Sequence, residues 1–214
     1  MNLNGALDFL NDYPEMGFRP IKNGELVLKG NFRFSANYVG GPKIEDSYDL
    51  EILVPKRFPY ELPKVIELKG KIPRDHNYHI NPDDTLCVGS PLRVILKIKN
   101  SNTLITYAEE CLVPYLYAVS YKLKNGGDFI FGELEHGKKG ILNDYCDILN
   151  LTNPKQVEKA LRLLGIKKRE ANKMPCPCQC GNRLGACVFH HKLNLLRTIA
   201  PRSFYKKHLL ELNS

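Results

Sequence analysis

The sequence predicts an α+β fold, an antiparallel sheet followed by helices, with a small helical module at the C-terminal side. Three observations predict it. Over residues 25–38 apolar residues alternate with polar ones, with Leu26, Leu28, Phe32, Phe34 and Ala36 on one parity, the period of a half-buried strand. Over residues 103–123 the period becomes helical, with Leu104, Tyr107, Ala108, Cys111, Leu112, Tyr115, Leu116 and Val119 on one broad face. Past residue 150 the chain turns basic, and four of its seven cysteines fall within residues 176–187. Strands first and helices after is the α+β pattern.

The elements follow in order. Leu3, Leu7 and Leu10 give a short helical segment over residues 4–13, closed by Pro14 and Gly17. Gly30 interrupts the alternating strand and marks a turn or a bulge. Gly40, Gly41 and Pro42 make a turn before a second strand over residues 48–54. Pro59 and Pro63 lead into a third strand over residues 65–68, and residues 69–86 are turn-rich. Pro114 is expected to kink the long helix, and Gly126 and Gly127 to end it. Two further helices are predicted over residues 138–149 and 154–164. Asn153 caps the second, Pro154 is its first residue and Gly165 ends it. Leu193, Leu195, Leu196, Phe204, Leu209, Leu210 and Leu212 make the basic tail helical. The chain is therefore read as a domain over residues 1–125, a helical connector over 126–170 and a metal module with a basic tail over 171–214.

Composition narrows the function classes. The chain has 214 residues and a net charge of +8. Residues 151–214 hold 13 Lys or Arg against 3 Asp or Glu, a net of +10, and residues 1–150 hold 18 against 20, a net of −2. The two parts are expected to meet different partners, and the basic part suits acidic protein surfaces or nucleic acid. No apolar run has transmembrane length, and the N-terminus lacks a signal-peptide pattern. A cytoplasmic protein with no membrane role is expected. Clustered cysteines then point to metal binding or catalysis rather than to a disulfide framework.

Cys87 is the candidate reactive residue. It follows the proline-bounded stretch Phe58-Pro59-Tyr60-Glu61-Leu62-Pro63-Lys64-Val65 and the polar stretch from Asp75 to Asp84, which holds His76 and His79. Val88-Gly89-Ser90-Pro91 comes after it, which sets the thiol in irregular chain where it can be reached. Asp83 and Asp84 are turn formers that could also take a proton from an amine. Cys111 and Cys146 are read as core residues.

These residues resemble the ubiquitin-conjugating enzyme family. In that family a strand meander leads to a Tyr-Pro-x-x-Pro segment, then a His-Pro-Asn element, then the cysteine that carries ubiquitin as a thioester. Residues 48–65 match the first parts, and Cys87 matches the cysteine. The resemblance covers about residues 1–125. It implies a four-stranded antiparallel meander flanked by helices, a transferase activity through Cys87, and as partners a ubiquitin-like protein, its activating enzyme and an acceptor protein. The His-Pro-Asn element is absent as such, and the chain has no Trp. Counted back from Cys87, the position of the family's asparagine falls on His79; Asn81 and Asn77 are alternatives. A histidine there could donate to an oxyanion and accept a proton from the attacking amine. The departures resemble divergent bacterial members found in antiphage defence operons.

The second feature is Cys176-Pro177-Cys178-Gln179-Cys180, followed by Cys187, His190 and His191. Thiols and imidazoles at this spacing suit tetrahedral Zn2+. A small, charged module gains folding free energy from such a metal. The segment resembles the SEC-C zinc motif, in which Cys176, Cys178 and Cys187 match three ligands. Cys180 stands where that motif has serine and Val188 where it has its last ligand. The fourth ligand is open among His190, His191 and Cys180, with His190 favoured as the imidazole nearest Cys187. A structural zinc with no open coordination position is expected. The competing readings are an inactive module of the same fold, like the RWD domains, a zinc-dependent adaptor, and a nucleic-acid-binding protein led by the zinc module.

Overall fold

The structure, a computed structural model, describes residues 5–38, 40–131, 135 and 137–213, with His76 by its main chain only. Leu3, part of the first predicted helix, lies outside the described residues. The chain is α+β and divides into two compact units, Met1–Glu133 and Leu134–Ser214.

The first unit opens with helix α1 (Ala6–Asp12) and continues into an antiparallel meander of β1 (Met16–Lys22), β2 (Glu25–Ala36), β3 (Ile44–Val54) and β4 (Lys64–Glu67), in the spatial order β1-β2-β3-β4. Strand β1 is an addition to the elements expected from the sequence. Its residues Met-Gly-Phe-Arg-Pro-Ile-Lys carry no clean alternation, Pro20 argues against a strand, and all but the first two residues are exposed. An edge strand tolerates that composition because only one of its sides must pair.

Alternation in β2 and β3 follows burial. Leu28, Phe32, Phe34, Tyr48, Leu50, Ile52 and Val54 face one core, together with Phe9 of α1 and Val65 of β4. Gly30 neither turns nor breaks its strand: β2 keeps an unbroken register with β3 from Leu26 to Ala36. A Cβ at Gly30 would lie 2.1 Å from the Glu15 carbonyl oxygen, so the main chains of residues 15 and 30 meet where only glycine fits.

After the sheet come a short 3-10 turn (His76–Tyr78), helix α2 (Pro91–Ile98), the single turn α3 (Leu104–Tyr107), a π-helical turn (Ala108–Leu112) and helix α4 (Val113–Asn125). The disturbance expected at Pro114 takes the form of the π turn just before it. Pro114 has no N–H to offer the Glu110 carbonyl, which instead accepts from Lys97 Nζ at 3.0 Å. Helix α2 is a second addition to the expected elements. Its residues signal it all the same: Ser90 caps it by accepting from the Arg93 N–H at 3.4 Å, Pro91 is in its first turn, and Leu92, Ile95 and Ile98 repeat at helical spacing.

The second unit comprises α5 (Gly137–Leu149), α6 (Pro154–Gly165), α7 (Lys168–Ala171), α8 (Phe189–Ile199) and α9 (Arg202–Asn213). Asn153 caps α6 as expected, accepting from the Gln156 N–H at 3.1 Å. Gly165 is the last residue of α6 rather than a stop beyond it. A Cβ there would come within 2.9 Å of Lys206 Cγ, so the glycine lets α9 approach α6. Cys111 is buried as expected, whereas Cys146 is only half-buried, on α5 at the margin of the core rather than in it.

Candidate functional site

Cys87 stands at the foot of a small hairpin. Its N–H donates to the His79 carbonyl at 2.8 Å, Ile80 bridges Leu86, and the Asn81 N–H donates to the Thr85 carbonyl at 2.8 Å. The tip is tied by side chains. Asp83 accepts from the Thr85 hydroxyl at 2.6 Å and pairs with Lys64 at 2.9 Å, and Asn81 Nδ2 donates to Thr85 Oγ1 at 2.9 Å. These contacts make Asp83 a turn brace, held below the usual carboxylate range first by the Thr85 hydroxyl and then by Lys64. The outer arm of the hairpin is fastened to the sheet: the Leu86 N–H donates to the Val65 carbonyl at 2.8 Å, and Ile66 bridges Thr85. Cys87 is thus fixed between β4 on one side and His79 on the other.

Cys87 is half-buried as a residue. Burial pushes it above the usual thiol range, offset in part by the Gly89 N–H. Gly89 has φ 139, a backbone angle that favours glycine, just ahead of the Ser90 cap. His79 is at φ 53, in the left-handed region that histidine enters more readily than most residues. Its ring stands edge-on to Phe129 with centroids 4.8 Å apart. The structure therefore brings His79 and Cys87 together through the main chain, with the imidazole resting on Phe129. Asn81 and Asn77 serve the loop: Asn81 ties it to Thr85, and the Asn77 carbonyl accepts from Lys122 Nζ at 2.9 Å. The His76 side chain lies outside the described residues.

A raised thiol pKa has a direct consequence for reactivity. The thiolate is the nucleophile, so its fraction at neutral pH is smaller at Cys87 than at an exposed cysteine. Alkylation of Cys87 by iodoacetamide, followed by peptide mass spectrometry, should be slow at pH 7 and still accelerating at pH 9. Cys111, which burial pushes up to about 11, should lag behind it. A rate at Cys87 that plateaus below pH 8 would contradict this environment.

The second centre lies in the Leu134–Ser214 unit. Helix α7 ends in a turn that leads to a tight loop. There Pro175 bridges Arg183, the Cys176 N–H donates to the Asn182 carbonyl at 2.9 Å, and the Leu184 N–H donates to the Met174 carbonyl at 2.8 Å. Gln179 (φ 63) and Gly181 (φ 79) turn the chain at its tip. This folding gathers Cys176, Cys178, Cys180 and Cys187, whose sulfur atoms all lie within 4.8 Å of one another. Cys176 and Cys178 are 3.1 Å apart, and Cys178 and Cys187 3.6 Å. A tetrahedral zinc with Zn–S bonds of about 2.3 Å needs sulfurs roughly 3.8 Å apart, so the four thiols could hold such an ion with small adjustments. Cys176, Cys178 and Cys187, three of the four ligands expected from spacing, are in this group. Its remaining member is Cys180, one of the alternatives, and not the favoured His190. His190 lies in the first turn of α8, where its Nδ1 is 2.7 Å from the Cys187 carbonyl oxygen, and its ring packs against His191 with centroids 3.9 Å apart.

No family model, curated protein or solved structure matches this chain. No described helix is long and apolar enough to cross a membrane.

Proposed function

We propose that this protein carries a ubiquitin-like protein as a thioester on Cys87 and passes it to an amine of an acceptor protein, as a divergent bacterial conjugating enzyme of an antiphage defence system. The observation that carries the reading is the setting of Cys87. A half-buried cysteine closes a hairpin docked on β4, paired with His79 through the main chain and just ahead of a helix. The order of elements supports it further: one helix, a four-stranded antiparallel meander, a cysteine-bearing loop, then helices.

The chemistry is two acyl transfers. The Cys87 sulfur attacks the thioester that joins the ubiquitin-like protein to its activating enzyme. A new C–S bond forms, the old one breaks, and the Cys87 proton ends on the departing thiol. The acceptor amine then attacks the Cys87 thioester. The C–N bond forms, the C–S bond breaks, and the amine proton returns to Cys87. The tetrahedral intermediate needs a hydrogen-bond donor at its oxygen. His79 has that role in this reading, reached by turning its ring from Phe129, because the Asn81 amide is engaged with Thr85. A thiol with a raised pKa is also the poorer leaving group, which slows hydrolysis of the loaded thioester while it waits for an acceptor.

Zinc belongs to the second centre in this reading. Cys176, Cys178, Cys180 and Cys187 would hold it as thiolates, and with four protein ligands it would staple the module rather than activate water. The positive charge of the surrounding sequence suits docking to an acidic partner or to nucleic acid.

The test is reconstitution with the activating enzyme, ATP and ubiquitin-like protein of the same system. An adduct cleaved by thiol reductants should form on the wild type, vanish in Cys87→Ala and become reductant-resistant in Cys87→Ser, where an ester replaces the thioester. His79→Ala should load normally and discharge to free lysine about 100-fold more slowly. A competent activating enzyme that yields no adduct would refute the thioester role.

A further inference from the structure

The sheet has an open edge that the Cys87 reading does not use. Strand β1 pairs with β2 only as far as Met16 opposite Gly30, after which the Asn31 N–H donates to the Glu15 carbonyl at 3.3 Å and the chain turns away into α1. The outer half of β2, residues 31–36, therefore has β3 on one side and no strand on the other among the described residues. Main-chain groups in an antiparallel ladder alternate direction residue by residue. Since Asn31 points its N–H toward the β1 side, Arg33 and Ser35 point their N–H and C=O the same way, with no strand there to receive them. Both residues are exposed.

A cleft of about 590 Å³ runs along this edge. Its wall includes Asp12, Tyr13, Arg33, Tyr38, Glu109 and Val113. The cation in this wall, Arg33, is already paired with Glu15 at 3.2 Å. Asp12 and Glu109 have no ion pair among the described residues, and both push the Tyr13 hydroxyl up, after burial, to about 12. Negative charge thus gathers beside two tyrosine rings on a protein whose net charge is +8. A long cationic side chain fits such a place, with its stem against the rings and its head at the carboxylates.

We propose that residues 31–36 of β2 take an extended, lysine- or arginine-bearing peptide as an added strand, with one basic side chain seated in the cleft beside Asp12 and Glu109. Main-chain pairing gives the affinity and the cleft gives the choice of side chain. The net charge of the protein repels cations, so attraction of a basic peptide must come from this local field. The proposal is independent of the thioester reading, since Cys87 lies on a loop attached to β4, the opposite edge strand.

The experiment uses the full chain and a fluorescein-labelled nine-residue peptide of alternating Lys and Val, read by fluorescence anisotropy and by amide hydrogen exchange. Binding should slow exchange in residues 31–36. It should weaken about tenfold or more in Asp12→Lys/Glu109→Lys and with added salt. It should also weaken about tenfold or more when alternate peptide nitrogens are methylated, a change that leaves charge intact and blocks strand pairing. Glu170→Lys, an exposed charge in the other unit, should leave it unchanged. Exchange protection elsewhere, equal binding of the methylated peptide, or binding unaffected by the double reversal with the fold intact by circular dichroism would each overturn the proposal.

Discussion

Purified without chelator, the full chain is expected to hold about one zinc ion, and Cys180→Ser is expected to lose it while His190→Ala keeps it. The contrast separates the two candidate fourth ligands. Removing a group that merely supports a ligand costs about 10–100-fold in metal affinity, so loss of a ligand itself should cost at least about 100-fold. Cys180 lies within 4.8 Å of the other three sulfurs, whereas no ring nitrogen of His190 belongs to that group. His190→Ala should therefore weaken binding by no more than about tenfold. Metal content by atomic emission and affinity by competition with a chromogenic chelator read both variants. Retention of zinc by Cys180→Ser together with its loss in His190→Ala would reverse the assignment. Acid should release the metal, because protons compete for every thiolate. Chelation should loosen the loop of residues 174–187 before it touches the sheet of the first unit, since each unit has its own compact set of contacts.

Glu67→Ala is expected to cost about 3 kcal/mol in the first unit, more than an exposed substitution would. Glu67 ends β4 and is fully buried. Its Oε1 accepts from the Lys69 N–H at 2.8 Å and its Oε2 from the Ile72 N–H at 3.5 Å, with Arg74 Nη2 at 3.8 Å. Alanine removes the side-chain acceptor of the Lys69 and Ile72 N–H groups, and it opens a void at the root of the loop. Glu67→Gln keeps the shape and one acceptor, so about 1–2 kcal/mol is expected. The effect should travel further than the loop. Arg74 also donates to the Asp84 carbonyl at 3.3 Å, within the hairpin that carries Cys87. Urea unfolding followed by circular dichroism gives the energies. Hydrogen exchange at residues 79–87 should show the hairpin loosening in Glu67→Ala, and an unchanged hairpin would limit Glu67 to its own loop.

Periodicity explains which elements are legible in the sequence. Strands β2 and β3 and helices α5 and α6 each bury mainly one face, so Phe32, Tyr48 and Leu161 announce themselves by spacing, whereas residues 115–120 of α4 are buried all round. Strand β1 stays hidden because an exposed edge need not alternate, and its trace lies in its partner, where Gly30 sits opposite Met16. Helix α2 is masked by the turn formers before it, although Ser90-Pro91 is a sound helix start. Gly30 has the look of a break and is a close approach between two main chains. At the metal loop, residue types name the chemistry, but linear nearness to Cys187 points to His190, which lies outside the group of four converging thiols. A chain reversal at Gln179 and Gly181 decides which thiols converge, and it depends on positive φ angles that spacing does not carry.

The π turn at Ala108–Leu112 also sets a phase. An α-helix advances about 100° per residue, so a turn with one extra residue rotates everything after it by that amount relative to what precedes. Downstream of it, Tyr115 donates to the Tyr78 carbonyl at 2.7 Å, Tyr117 to the Pro42 carbonyl at 2.7 Å and Ser120 to Asp46 at 2.8 Å. These three ties reach different stretches of chain from one helix, and all depend on the same rotation. Deleting a single residue from 108–112 would take out the extra residue of the turn and swing each of those hydroxyls away from its partner, so a local shortening here would come with global misalignment.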